Sequence, residues 1–366
     1  MKYFIIAGEA SGDLHGGPLV KHLKMIDESA DIEGWGGIHM EEAGMKKHKD
    51  YKELAFMGFI EVIKHLPTIR KNFIECKQQI LQFQPDVVIF IDYPGFNLRM
   101  AKWAKKKGFK TVYYISPQIW AWKENRIRSI KKHIDKMLVI LPFETTFYKK
   151  HQFEAEYVGH PLTHTVLKSL YKPFPEAWGV KPIIAVLPGS RAQEVETHLE
   201  IIERVVSFLP NYEFYIAKVP HLDLSIYKPF LNQPNLHIVE NKTHELYKLS
   251  EAALVASGTA TLEAALFGVP QVVYYKGNWI SYQLAKQFIK VPYISLVNLI
   301  LDKPAVEELI QDDCNPSTIV ASLQRLFQED NADQLQSDYT KLWDILGSKN
   351  AALEAAKAIF KTANTL

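Results

Sequence analysis

Short apolar runs alternate with stretches whose apolar positions recur at helical spacing. Lys2–Gly8, Asp86–Asp92, Lys110–Ser116 and Lys136–Leu141 are apolar, β-branched or aromatic, and are bounded by polar or turn residues. Between them, Leu14–Met25, Leu66–Gln82 and Asn97–Lys107 read at helical period. Continuous apolar strands separated by helices predict a parallel sheet covered on both faces. Pro161, Pro173, Pro175 and Pro182 then break the pattern as linker residues. Beyond them Ile183–Leu187, Glu213–Ala217, Ala252–Ala256 and Gln271–Tyr275 repeat the alternation. The expectation is an α/β chain of two Rossmann-like, doubly wound domains facing a cleft. Their expected bounds are 1–165 and 175–366, with an Ala-rich terminal helix, Ala351–Phe360, free to pack on either.

Composition narrows the class. The 366 residues are 47% apolar and 23% charged, in the globular range, which excludes disordered and fibrous chains. Cys76 and Cys314 are too few for a disulfide framework and fit a reducing compartment. The run after Lys2 reads as a buried strand, not a leader, because Glu9 and Asp13 interrupt it. Ala252–Tyr275 carries only one charge, Glu263, but Ser257, Gly258, Thr259, Gly268 and Pro270 punctuate it, which argues against a membrane span. The net charge of +2 is unevenly spread: residues 99–150 hold 14 basic residues against Glu124, Asp135 and Glu144. That stretch is either solvated helix surface or a face for phosphate, nucleic acid or anionic lipid.

In open α/β sheets ligands bind beyond the carboxyl ends of the strands, so the chemistry is sought there. Gly8-Glu9-Ala10-Ser11-Gly12-Asp13 follows the first strand. Its glycines permit close backbone approach and the ensuing helix start favours an anion. The spacing matches neither a dinucleotide fingerprint, a Walker loop nor a hydrolase elbow. Asp92 ends another strand, as a general base would, although a turn-capping aspartate is the competing reading. In Ser116-Pro117-Gln118-Ile119-Trp120-Ala121-Trp122, the two tryptophans either belong to the core or stack on a sugar or apolar ligand. His160, in Gly159-His160-Pro161, reads as a structural, hydrogen-bonded histidine.

In the second domain, Pro188-Gly189-Ser190-Arg191 opens a helix with Glu194 in its first turn. Backbone N–H groups, a hydroxyl and a guanidinium there suit a diphosphate. Ser257-Gly258-Thr259-Ala260-Thr261-Leu262-Glu263 opens a second helix, with Glu263 placed to bind ribose hydroxyls. The pair reads as a nucleotide-diphosphate site. No Asp-x-Asp clamp is present, so no metal is expected, and helix dipoles, backbone donors and Arg or Lys must stabilise the leaving group. Glu194, Glu196, His198 and Glu200 read as a solvated helix face.

These blocks, together with Pro142-Phe143-Glu144, resemble the lipid-A-disaccharide synthase family in order and across essentially the whole chain. Leu296-Val297-Asn298-Leu299 departs from the family pattern, where Pro is expected before Asn298. The resemblance implies a GT-B glycosyltransferase with donor nucleotide on the C-terminal domain and acceptor on the N-terminal one. The implied substrates are UDP-2,3-diacylglucosamine and 2,3-diacylglucosamine 1-phosphate (lipid X), and the implied course is one inverting displacement without cofactor or metal. Asp92 is then the expected base, with Glu9 and Asp13 in reserve. Ser11, Gly12, Ser190, Arg191, Glu194, Ser257, Gly258, Thr259, Glu263, Tyr275 and Asn298 are the expected binding residues. The family further implies a cytoplasmic, peripheral enzyme on the inner face of a Gram-negative inner membrane, in contact with anionic phospholipid. Phe56, Met57, Phe59 and Ile60 join the basic stretch as the expected contact. Nucleic acid is not an expected partner, and self-association is left open. The alternatives are a UDP-N-acetylglucosamine 2-epimerase, a peptidoglycan glycosyltransferase, or a silent binding protein.

Overall fold

A computed structural model describes residues 1–54, 66–279, 282–283 and 291–365. Phe56, Met57, Phe59 and Ile60 lie outside the described residues. The chain forms two compact units, Met1–Pro161 with Ser348–Leu366, and Leu162–Gly347.

In the first unit the strands are β1 (Lys2–Ala7), β2 (Asp31–Gly36), β3 (Lys46–Asp50), β4 (Val87–Ile91), β5 (Lys110–Tyr114), β6 (Lys136–Val139) and β7 (Ala155–Tyr157). They form one sheet in the order β3-β2-β1-β4-β5-β6-β7, all pairs parallel. Alternate residues of each continuous apolar strand serve opposite faces. Tyr3, Ile5, Ile89 and Val112 pack on one side, and Phe4, Val88, Phe90 and Tyr113 on the other. The helix Ala351–Asn364 brings Ala355, Ala356, Ile359 and Ala363 into the first of these cores, beside Leu19 and Leu23 of the helix Ala10–Ile26. Small alanines let the two helices approach closely. This burial groups the terminal helix, which the sequence left free to pack on either domain, with the first unit.

The second unit has β8 (Ile183–Leu187), β9 (Glu213–Lys218), β10 (Leu236–Glu240), β11 (Ser250–Ala256), β12 (Gln271–Tyr275) and β13 (Glu307–Ile310), in the order β10-β9-β8-β11-β12-β13. Val186, Ile216, Leu254 and Val272 face one core, and Ala185, Leu187, Ala253 and Val255 the other. The apolar stretch Ala252–Tyr275 falls within β11, the helix Thr259–Leu266 and β12. Among the described residues no helix is long and apolar enough to cross a membrane. Both units are doubly wound α/β folds.

Candidate active site

Each sheet reverses its winding at one crevice: between β1 and β4 in the first unit, and between β8 and β11 in the second. Such switch points are where α/β sheets bind ligands. The motifs read from the sequence stand at both.

At the first crevice, Glu9 leads from β1 into the helix Ala10–Ile26 and Asp92 follows β4. The Tyr93 ring lies 2.2 Å from where a Cβ on Gly8 would be, so only glycine fits there. Asp92 and Tyr93 both adopt left-handed backbone, at φ 44° and 48°, a conformation that costs on the order of 1 kcal/mol per non-glycine residue. Three contacts hold the turn. The Asp92 N–H donates to the Tyr114 carbonyl at 3.2 Å. The Asp92 carbonyl accepts from Asn97 Nδ2 at 2.8 Å and from the Tyr113 hydroxyl at 2.5 Å. Asn97 also reaches the carbonyls of Ile6 and Ile91, which stitches β1 to β4. Burial and then the negative charge of Glu9 push the Asp92 carboxyl up to about 6, against an opposing hydrogen bond from the Tyr93 backbone. Glu9 and Asp92 thus stand just past the ends of adjacent strands, where the charge of one acts on the other.

Asp13 is occupied differently. It is buried, and its Oδ1 accepts from Gly37 N at 2.8 Å and Met40 N at 3.1 Å, while Oδ2 accepts from His39 N at 3.2 Å. These are the orphan N–H groups at the start of the short helix Ile38–Glu42. Asp13, expected as a reserve base, here joins the helix Ala10–Ile26 to the start of the helix Ile38–Glu42. Gly12 is buried against Ala7, whereas Ser11 is exposed.

The Trp block divides. Trp120 Nε1 donates to Glu144 Oε1 at 3.1 Å, and Glu144 Oε2 accepts from the Leu141 N–H at 3.1 Å. Burial raises the Glu144 carboxyl to about 7. Ser116 Oγ shares a 2.7 Å hydrogen bond with the Tyr148 hydroxyl. Trp122 instead is 48% exposed, with Lys123 Nζ 3.9 Å from its ring centroid and Arg126 on the same ring. One tryptophan belongs to the scaffold, and the other is a cationic–aromatic surface. His160 is buried and held neutral, its pKa pushed down to about 3 by burial and the neighbouring His15.

At the second crevice, Gly189 takes φ 113°, and Glu194 turns back over the loop. Its Oε1 accepts from Arg191 Nη1 at 2.9 Å and its Oε2 from Ser190 N at 3.4 Å. The donors expected to hold a diphosphate thus converge on one carboxylate. Across the crevice, Gly258 at φ 152° and ψ −160° occupies a region essentially reserved for glycine. Thr259 is exposed at the start of its helix, and Ser257 Oγ donates to the Ile294 carbonyl at 2.9 Å. One turn on, Glu263 Oε1 lies 3.0 Å from His244 Nε2. His244 also lines a cavity of about 990 Å³ with Phe174, Trp178, Lys242 and Lys248.

Tyr275 ends β12, its hydroxyl 2.8 Å from where a Cβ on Gly277 would be. Asn298 stands apart from these loops. Its Nδ2 donates to the Val306 carbonyl and Glu308 Oε1, both at 2.8 Å, and its Oδ1 accepts from Val306 N at 2.9 Å. Glu308 also accepts from Ile294 N and Ser295 N, so Asn298 reaches the Ser257 loop through that segment rather than by direct contact. The largest departure is His198. Expected on a solvated face, it is fully buried, because both ring nitrogens have backbone partners. Asn97, His198, Glu308 and Gln311 were not singled out from the sequence as binding or catalytic residues. Asn97 and His198 had a detectable signal, a polar residue inside an apolar helical stripe.

The match to known proteins covers the chain. A curated lipid-A-disaccharide synthase from Trichlorobacter lovleyi is 38% identical over 90% of this chain and 88% of its own length. Two solved structures share the fold at low identity. The UDP-GlcNAc 2-epimerase of Neisseria meningitidis bound to UDP-GlcNAc has a TM-score of 0.62 at 14% identity, covering 99% of each chain. The glycotransferase of kitacinnamycin has 0.69 at 12%, again covering 99% of each. Residues 3–361 match the family model described as lipid-A-disaccharide synthetase, and the chain belongs to that family of glycosyltransferases.

Proposed function

We propose that this chain transfers 2,3-diacylglucosamine from UDP-2,3-diacylglucosamine to lipid X, giving a tetraacyl disaccharide 1-phosphate and UDP. The observation that carries the reading is the pairing of an Arg-bearing phosphate turn with a helix-borne carboxylate at the switch point of one sheet. Ser190, Arg191 and the Gly258–Thr259 helix start receive the diphosphate, exchanging Glu194 for phosphate oxygens. Glu263 takes the ribose hydroxyls, and the cavity beside His244 takes the base. Preorganised donors aimed at the leaving diphosphate stabilise the charge that develops on it.

Asp92 removes the acceptor hydroxyl proton as that oxygen attacks the anomeric carbon, which inverts its configuration. A carboxyl near 6 is well matched to this task. Glu9 tunes it, and Asp13 is a positioning residue. Trp122 and its cationic neighbours give the protein a peripheral hold on anionic phospholipid at the cytoplasmic face of the inner membrane.

The likeness to an epimerase favours a second reading, 2-epimerisation of a UDP-sugar. Incubation with donor alone and with donor plus lipid X separates the two. Transfer gives UDP and disaccharide in equal amounts only when both substrates are present. A 2-epimer from donor alone would overturn the transferase reading.

A further inference from the structure

His198 lies in the helix Ala192–Phe208 that begins at the phosphate turn, and it is fully buried. Its Nδ1 is 2.7 Å from the Pro188 carbonyl, and its Nε2 is 3.0 Å from the Lys276 backbone nitrogen. A carbonyl only accepts, and a backbone N–H only donates. The ring must therefore carry its proton on Nδ1 and present a bare Nε2. A protonated imidazole would set two N–H groups against each other at Lys276. Burial holds the ring's pKa below its ordinary value, in keeping with the neutral form.

The two partners belong to different turns. Pro188 opens the Gly189–Arg191 turn after β8, and Lys276 opens the turn after β12. The next amide, Gly277 N–H, donates to Gln311 Oε1 at 3.3 Å, at the tip of β13. Consecutive N–H groups after Tyr275 are thus held by two side chains. The Tyr274 ring meets His198 edge-on at 4.8 Å and the Tyr275 ring at 6.3 Å, which fixes the imidazole plane.

We infer that His198 is a positioning residue for donor binding: its Nδ1–H draws the Pro188 carbonyl inward, leaving the Gly189 and Ser190 amides to the diphosphate, and its Nε2 ties this turn to the Tyr275–Gly277 turn. The inference rests on the placement of the donor nucleotide in this unit.

The two ties separate by substitution. His198→Asn keeps a donor near the Nδ1 position and gives up the Lys276 tie. His198→Gln keeps an acceptor near the Nε2 position and gives up the Pro188 tie. Calorimetry with UDP should show His198→Gln weakened about tenfold, one hydrogen bond's worth, and His198→Asn within about twofold of the parent. The KM for the acceptor should be unchanged in both. Equal UDP affinity in parent and His198→Gln overturns the inference, as does equal weakening in both variants. Arg191→Ala is measured alongside. If it loses UDP while His198→Gln does not, this inference alone fails; if Arg191→Ala and Glu263→Gln also bind UDP normally, the donor placement fails with it. The parent protein gives an independent test that needs no variant to fold: imidazole ¹⁵N shifts at pH 7–8 should report the Nδ1–H tautomer, and the Nε2–H tautomer overturns the inference.

Discussion

Asn97 donates its side-chain amide to the carbonyl of Asp92 at 2.8 Å, and so holds a left-handed aspartate at the tip of a central strand. The backbone of the proposed base is thereby fixed by a residue five positions later that also grips β1. Replacing Asn97 with Ala removes these bonds and leaves buried carbonyls short of a donor. The expected loss is about 1–3 kcal/mol. Turnover should also fall at temperatures where the variant is fully folded. A melting curve with an activity assay at 20 °C checks both, and a lower Tm with full turnover would separate Asn97 from the chemistry.

Asp92 is held above its ordinary carboxyl range, at about 6 against 3.8, by burial and by Glu9. A base must be unprotonated, so kcat/KM should fall as pH drops through about 6. Removing the like charge with Glu9→Gln should move this acid limb to lower pH. A limb that stays in place would show that Glu9 does not act on Asp92.

The same shift has a consequence for stability. The folded pKa lies above the unfolded one, so the fold prefers the protonated group. That contribution is complete below about 3.8 and is lost as pH rises through about 6. Asp92→Asn removes the buried charge, and Asn tolerates left-handed backbone well. Its Tm relative to the parent should therefore be higher at pH 8 than at pH 5. A turn-capping carboxylate would give a lower Tm at pH 8.

Glu263→Gln and Arg191→Ala should each weaken UDP by roughly ten- to a hundredfold, the worth of one charge-assisted hydrogen bond. Calorimetry measures this directly. Unchanged affinity in both would remove the nucleotide from this crevice.

Trp122, flanked by Lys123 and Arg126, should adsorb to vesicles containing anionic lipid, and added salt should release it. Trp122→Ala should bind more weakly in a flotation assay at low salt. Equal flotation of parent and variant would place the contact elsewhere.

The central strands were legible because burial on both faces makes them continuously apolar. Ile183–Leu187 and Gln271–Tyr275 match their predicted bounds residue for residue. The edge strand Lys46–Asp50 was not, because its sequence, KKHKD, contains no apolar residue. It is held by the ladder to β2, by the Lys46–Glu33 ion pair and by a hydrogen bond between His48 Nε2 and Glu33. The positions of the site motifs were legible as residues just past strand ends. Which polar side chains serve the fold was not. Asp13 and His198 spend their polar atoms on backbone groups of other elements, and Asn298 on the Val306 backbone and the Glu308 carboxylate, and no local spacing records such partners.

Asp92→Asn tests the central claim most directly, with turnover and UDP affinity measured on one preparation at pH 8. The variant keeps the shape of the turn and loses the proton acceptor. Turnover should fall by about 10²–10⁴-fold, the usual worth of a general base, with UDP affinity within about twofold of the parent. Turnover within about tenfold of the parent, in a folded variant that binds UDP normally, would contradict the role of Asp92 as the base.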